Sequence, residues 1–221
     1  ASWEVFAHEY GHLLGMYDLY IPGDGNTGKS PGPFDFMGNT TGTAFTTLGY
    51  QRWVQGWLSD NDVACDLGAS VNQEISLMPI NSSGGRRLYV HPLSGSKVLV
   101  AEYRLEGEYE SLNKNDGILV YTVDMRTGSL KGPVAIQPSE QDRPNSYSND
   151  VERYKTAPLS NGQSVEIGDY LYYASNVTSQ SATLSVIPKS LAPEFLASKK
   201  LANTPVPTPS QTPTVKKVQV K

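Results

Sequence analysis

Six segments of β-type sequence between residues 73 and 188 constrain the fold of this 221-residue chain more than any other feature. Short apolar or alternating runs that end in Gly, Ser and Asn are typical of strands joined into antiparallel sheets. Turn-rich stretches such as NSSGG and LSGS separate neighbouring runs here. The six runs are QEISLMPI, RRLYVHPL, KVLVAEYRL, GILVYTVDM, SVEIGDYLYYA and ATLSVIP. The sequence therefore predicts an antiparallel β-rich region within residues 61–190.

The residues before this region predict helices instead. Ser2 is a suitable N-cap for a helix over residues 3–14, and Gly15 can end that helix in the left-handed conformation. A second helix is predicted over residues 44–56, where several apolar residues fall near one face. The intervening stretch, residues 16–42, is dense in Gly, Pro, Asp and Asn and predicts a loop. The predicted fold class is therefore α+β.

The chain is predicted to have three sections. Residues 1–60 hold the helices, residues 61–190 hold the strands, and residues 191–221 form a Pro/Thr-rich tail. The tail includes NTPVPTPSQTPTVKKVQVK, which has too little apolar sequence to bury a core and predicts an extended tether. The long polar stretch over residues 126–163 is predicted to be a loop.

Composition argues against several classes of function. The net charge is −4, and no basic cluster occurs before the last few residues, so no nucleic-acid partner is expected. No apolar run approaches the roughly 20 residues that a membrane helix needs, so no membrane insertion is expected. The single cysteine, Cys65, rules out a disulfide scaffold and is expected to be a buried thiol, with pairing to a cysteine outside this stretch as the alternative.

The string His8-Glu9-Tyr10-Gly11-His12 is the strongest chemical signal in the chain. Two of the three histidines occur here, four residues apart around a glutamate. On a helix, residues four apart share a face, so both imidazoles can bind one zinc ion while Glu9 lies beside it as the general base. A helix with incidental histidines is the alternative, because HExxH alone is a weak signal.

The third metal ligand is predicted by elimination. The chain has no Glu between the motif and Glu74, which argues against a Glu ligand shortly after the helix. The only other histidine, His91, lies in a predicted strand far along the chain. Asp18 stands where the pattern HExxHxxGxxH has its third His, and a carboxylate oxygen is an acceptable zinc ligand. Asp24 and Asp35 are the reserve candidates, and a turn or helix-capping role is the alternative for Asp18.

These stretches, with several that follow, resemble the metzincins, and within them the immune inhibitor A family of secreted bacterial zinc metallopeptidases. The matching stretches are HEYGHLLGMYDLY, PFDFMG, GYQRWVQGWL, VLVAEYRL and GILVYTVDM, in the family's order over roughly residues 3–188. The resemblance implies that Met37 forms the Met-turn beneath the zinc, with an ordinary core methionine as the alternative. Two positions depart from the pattern, since Asn39 replaces a Tyr of some metzincins and Thr122 replaces a common His.

The resemblance implies a zinc-dependent endopeptidase that hydrolyses extracellular proteins or peptides and is secreted or displayed at a bacterial cell surface. Residues 1–60 would be the C-terminal half of a metzincin-like catalytic domain, and residues 61–190 its β-rich continuation. Because the family has another subdomain before the active-site helix, we expect an N-terminal truncation and an inactive fragment. The tail would link to a missing C-terminal module. The alternative function is a non-catalytic, β-rich extracellular interaction module derived from a protease.

Two further groups of polar residues carry weaker predictions. Asp24, Asn26 and Asp35 lie among glycines and could hold Ca²⁺, but they lack EF-hand spacing, which favours ordinary turn chemistry. Glu102 and Arg104 alternate along a predicted strand, so they share a face, and an ion pair on an exposed face is expected. The family resemblance instead indicates a structural role for this pair.

Overall fold

The computed structural model of the protein describes residues 3–23, 30–38, 46–66, 71–105, 116–139, 154 and 157–202. Within them the fold is α+β, with few helices and many strands. The helices are α1 (Trp3–Leu13), α2 (Gly49–Val54) and α3 (Ala192–Ala202), and short 3-10 turns cover Gly32–Phe34 and Asp60–Asp62. The strands are β1 (Val63–Cys65), β2 (Gln73–Leu77), β3 (Leu88–Pro92), β4 (Lys97–Arg104), β5 (Gly117–Asp124), β6 (Val134–Ile136), β7 (Pro158–Leu159), β8 (Ser164–Ile167), β9 (Tyr170–Ser175) and β10 (Ala182–Pro188).

The strands form two sheets. The first has the order β1-β3-β4-β5-β6, and β7 also pairs with β5. Its β1–β3 pair is parallel, with Val63 opposite Leu88, and its other pairs are antiparallel. The second sheet has the order β2-β10-β9-β8 and is antiparallel throughout. The prediction of antiparallel β-structure is therefore confirmed, apart from one short parallel pair.

Alternate residues of the central strand β4 point into two different apolar clusters. Val98 and Val100 pack with residues from the N-terminal section, among them Met16, Leu19, Phe34, Met37 and Leu48. Leu99 and Ala101 pack with residues of the second sheet, among them Leu77, Tyr172 and Leu184. Because both faces are covered, β4 and β5 are buried along most of their length. The first sheet is thus the middle layer between the helical section and the second sheet.

Several strands and helix ends differ from the sequence prediction. The run SVEIGDYLYYA forms two strands, β8 and β9, because the chain turns at Gly168, whose φ is +60°. Strands β6 and β7 lie within the stretch predicted as a long loop, and β1 was also not predicted. Helix α2 covers six residues instead of the predicted 44–56, of which residues 44 and 45 lie outside the described part of the chain.

Two predictions about the later sections are corrected. Helix α3 occupies residues that were predicted to belong to the tether. It forms because Pro193 is tolerated in a first helical turn and because Phe195 packs on Tyr173, with ring centroids 5.2 Å apart. Residues 203–221 lie outside the described part. Cys65 is exposed at the end of β1, so the prediction of a buried thiol is wrong. No helix among the described residues is long and apolar enough to cross a bilayer.

Candidate metal centre

Helix α1 presents two histidines one turn apart. His8 is buried, and His12 keeps about a third of its side chain exposed, with 4.9 Å between the ring centroids. Gly15 ends the helix with a φ of +86°, as the sequence predicted, and the N–H of Met16 then donates to the Gly11 carbonyl. This sharp exit brings the next residues back toward the histidines.

Asp18 is the residue that returns to the histidine pair. Its Oδ1 lies 3.0 Å from His8 Nε2 and 3.4 Å from His12 Nε2. Ligand atoms of the three residues lie within 4.8 Å of one another, and only 14% of the Asp18 side chain is exposed. Glu9 lies next to His8 on the helix and is exposed. The three residues predicted as metal ligands are therefore brought together.

The second nitrogen of each imidazole is bound to a backbone carbonyl. His8 Nδ1 donates to the Phe36 carbonyl and His12 Nδ1 to the Met16 carbonyl, each at 2.9 Å. A carbonyl only accepts, so both Nδ1 atoms carry a proton and a neutral imidazole has its lone pair on Nε2. Two such nitrogens and a carboxylate oxygen then converge, and they repel one another until a cation, either a proton or a metal ion, lies among them.

This donor set fits zinc. Two imidazole nitrogens and one carboxylate oxygen are zinc ligands, and catalytic zinc sites have three protein ligands with a fourth position left open. The hydrogen bonds from each Nδ1 to a carbonyl are the outer contacts that normally orient zinc-binding histidines. The partial exposure of His12 leaves one side of the cluster accessible from solvent.

Met37 lies fully buried beneath α1. A Cβ atom added to Gly11 would lie 2.6 Å from Met37 Sδ, so only glycine lets the helix approach the methionine this closely. The Met37 carbonyl also accepts a hydrogen bond of 3.0 Å from the N–H of Leu19, next to Asp18. Met37 therefore supports both the histidine helix and the segment that carries Asp18.

Asp35, a reserve candidate for the metal, is used elsewhere. Its Oδ1 accepts from the Met37 N–H at 2.7 Å, and its Oδ2 accepts from the Thr47 hydroxyl at 2.7 Å and the Leu48 N–H at 2.8 Å. Burial raises the pKa of the carboxyl, although these hydrogen bonds and the nearby Arg104 charge act the other way. Asp35 holds the Met37 turn in shape, and both of its oxygens accept hydrogen bonds from the protein in a fully buried position. The other candidates, Asp24 and Asn26, lie outside the described residues, as does Asn39.

Two residues that sequence reasoning did not assign lie against Asp18. Ser129, in the turn between β5 and β6, accepts from the Asp18 N–H at 3.1 Å and donates to Asp18 Oδ2 at 3.0 Å. The Tyr20 ring lies 6.3 Å from the His8 ring, and the pKa of its hydroxyl is raised first by burial, then by the charge of Asp18 and a hydrogen bond to that carboxylate, and last by the charge of Glu9. Ser129 is 111 residues from Asp18, so no local pattern could have indicated it.

Glu102 and Arg104 are fully buried, so the expectation of an exposed ion pair is wrong. Arg104 Nη2 lies 2.6 Å from Glu102 Oε1, and Arg104 also donates to the Phe34 carbonyl at 3.1 Å. Glu102 Oε2 accepts from the Gly49 N–H at 2.6 Å and the Tyr121 hydroxyl at 2.7 Å. The pair joins β4 to the loop that contains Met37 and to the start of α2. These contacts agree with the structural role that the family resemblance indicates for Glu102 and Arg104.

Comparison of the chain with protein-family models, with curated proteins and with solved structures finds no significant match.

Proposed function

We propose that the protein is a zinc-dependent endopeptidase in which His8, His12 and Asp18 bind the metal and Glu9 is the general base. The observation that supports this most is the convergence of three electron-pair donors at distances of 3.0 and 3.4 Å, with each histidine oriented by a carbonyl. An arrangement of this kind binds a cation tightly because every ligand is already positioned. The sequence HEYGHLLGMYDLY supports the same assignment.

The residues of the chain have separate roles in the proposed reaction. Bound zinc supplies a Lewis acid that activates water near neutral pH and polarises the scissile carbonyl. Glu9 takes a proton from the attacking water and passes it to the leaving amine nitrogen. Its exposed position, one residue from His8, allows a peptide to reach it. Met37, packed against Gly11, keeps the two histidines in place beneath the reacting groups.

The wider setting is part of the same proposal. We relate residues 1–60 to the C-terminal half of a metzincin-like catalytic domain of the immune inhibitor A type. The substrates would be extracellular proteins or peptides, and the protein would act outside a bacterial cell or at its surface. These statements depend on the resemblance of five sequence stretches and on the burial of Met37 beneath α1.

A non-catalytic interaction module derived from a protease is the second candidate. The observation that favours this candidate is the exposure of large apolar side chains on α1. They follow helical spacing and form a continuous stripe, made up of Trp3, Phe6, Tyr10 and Leu13. In this alternative the stripe would bind another protein, and the metal site would have no catalytic role.

Zinc content and proteolysis, measured together in the full-length protein, separate the two candidates. Glu9→Gln is expected to lower casein cleavage by about 10²–10⁴-fold while zinc remains bound, because Glu9 moves protons and is not a ligand. His12→Ala is expected to lose both zinc and activity. Glu4→Gln, a half-buried glutamate in the first turn of the same helix, is the matched control and should change neither. Near-normal cleavage by Glu9→Gln, or a zinc-free wild type, would contradict the proposal.

A further inference from the structure

The turn between β5 and β6, residues 125–133, reaches across to the segment that carries Asp18. We propose that Ser129 in this turn is a positioning residue that holds Asp18 as a one-oxygen ligand of the metal. The inference rests on the proposed zinc site and adds a residue to it that the sequence pattern does not contain.

The Ser129 hydroxyl makes two hydrogen bonds to the same aspartate. Its oxygen accepts from the Asp18 backbone N–H at 3.1 Å, and its proton goes to Asp18 Oδ2 at 3.0 Å. A hydroxyl that bridges the backbone and one carboxylate oxygen fixes the rotation of the side chain. With Oδ2 held in this way, Oδ1 is the oxygen that faces His8 Nε2 and His12 Nε2. Outer contacts of this type set the orientation of metal ligands in proteins.

The backbone of the turn is also fitted to Asp18. Leu130 has a φ of +61°, a conformation that few residues other than glycine adopt, and its N–H donates to the Asp18 carbonyl at 3.1 Å. Leu130 is 41% exposed, so packing of its side chain in the core does not explain the positive φ. Strained backbone is found where the surrounding structure requires it, commonly at functional sites. Here the strained residue is Leu130, whose N–H donates to the carbonyl of Asp18.

The turn takes its position from the first sheet. The Asp124 N–H, at the end of β5, donates to the Pro133 carbonyl at 2.8 Å and closes the base of the turn. The Asp124 carboxylate accepts from the Ser96 hydroxyl at 2.6 Å and the Arg126 N–H at 3.1 Å. These contacts lower the pKa of the Asp124 carboxyl, with the Ser96 hydrogen bond as the largest cause. Ser129 is therefore presented to Asp18 from a sheet-anchored turn.

Zinc affinity, measured by competition with a chromogenic chelator, tests the proposal. Ser129→Ala is expected to weaken zinc binding by about 10–100-fold, the usual effect of losing an outer contact to a ligand. Ser129→Thr keeps the hydroxyl and is expected to restore most of the affinity. Ser59→Ala is the matched control, because it removes a similar bond of 2.8 Å from a Ser hydroxyl to an Asp, Asp62, that is not a metal ligand and lies outside this turn. Its zinc affinity should equal that of the wild type.

A spectrum separates positioning from general loosening of the structure. In the cobalt(II)-loaded protein, freeing Oδ2 lets the second oxygen approach the metal, so the visible absorption of Ser129→Ala should weaken as the coordination number rises. Unchanged zinc affinity and an unchanged spectrum in Ser129→Ala would overturn the inference. An equal loss of affinity in Ser59→Ala would also overturn it. If the wild type itself binds no zinc, the proposed function fails first, and that result is visible before any variant is made.

Discussion

Two aspartates of the N-terminal section, Asp18 and Asp35, have the same chemical group in very different surroundings. Asp18 is partly exposed, and one of its oxygens faces two imidazole nitrogens. Asp35 is fully buried, and both of its oxygens accept hydrogen bonds from the protein. A carboxylate that is satisfied inside the protein stabilises the fold, whereas one that faces other acceptors needs a cation.

Exchanging each aspartate for alanine should separate these roles. Asp35→Ala leaves the Met37 and Leu48 N–H groups and the Thr47 hydroxyl without an acceptor, so it should lower the free energy of unfolding by about 3–5 kcal/mol. Asp18→Ala should remove zinc binding but lower the stability of the metal-free protein by only about 1 kcal/mol. Denaturant unfolding without metal, followed by zinc titration, checks both. A stable Asp35→Ala variant that had lost zinc selectively would reverse the assignment.

The sequence predicted that His8, His12 and Asp18 converge, but it did not predict the residues that support them. The proximity of His8 and His12 could be predicted because helical spacing alone places residues four apart on one face. Asp18 followed from the glycine turn and from the absence of other suitable ligands. Ser129 could not be assigned, because only the sheet brings residue 129 to residue 18. Alternation placed Glu102 and Arg104 on one face of β4 but could not show that a loop covers that face.

At the scale of elements, strand β4 connects the layers of the protein. Its residues Leu99, Ala101 and Tyr103 pack toward the second sheet. On the other face, Glu102 and Arg104 bind the loop and the start of α2. The ion pair is buried, and its charges are satisfied by each other and by the groups that they bridge. Removing one partner leaves the other buried without its counter-charge, which is costly.

Arg104→Met should therefore destabilise the protein by about 3–5 kcal/mol. The control is Lys189→Met, which breaks the exposed pair with Glu166 at 3.3 Å and should cost less than about 1 kcal/mol. Both values come from denaturant unfolding of the metal-free protein. Equal small effects in the two variants would show that the buried pair adds no more stability than a surface pair.

Element prediction succeeded where a run was long and apolar. The segments that became β4 and β5 were assigned almost to the residue, because strands buried on both faces leave continuous apolar sequence. The two- and three-residue strands β1, β6 and β7 are too short to show a period, and they form only because a neighbouring strand offers hydrogen bonds. Helix α3 was not predicted, because Pro193 and the Pro-rich sequence that follows the helix favour an extended chain.

At the scale of the whole molecule, a cluster of aromatic side chains lies between the two sheets. His91 on β3 is buried, and its ring contacts that of Tyr170 on β9 with centroids 4.7 Å apart. His91 Nδ1 lies 3.2 Å from the Tyr89 hydroxyl and 3.9 Å from Asp66 Oδ2. Burial lowers the pKa of His91, and the Asp66 charge offsets part of this effect. A buried histidine whose pKa is lowered by burial therefore takes part in the packing of the two sheets.

This arrangement should make the fold sensitive to acid. In the unfolded chain His91 has an ordinary pKa of about 6.5, whereas in the folded protein its pKa is lower. The unfolded state therefore binds the proton first, so the contribution of His91 is present above about pH 6.5 and is lost as pH falls further. One proton changes the free energy of unfolding by at most about 1.4 kcal/mol per pH unit.

Denaturant unfolding from pH 7.5 to 5 should therefore show a smaller loss of stability in His91→Gln than in the wild type. Titrating groups that do not contact His91 contribute equally to both proteins, whereas Asp66, whose Oδ2 lies 3.9 Å from His91 Nδ1, is part of the effect that is measured. Equal pH slopes in the two proteins would mean that His91 can be protonated without disturbing the contact between the sheets.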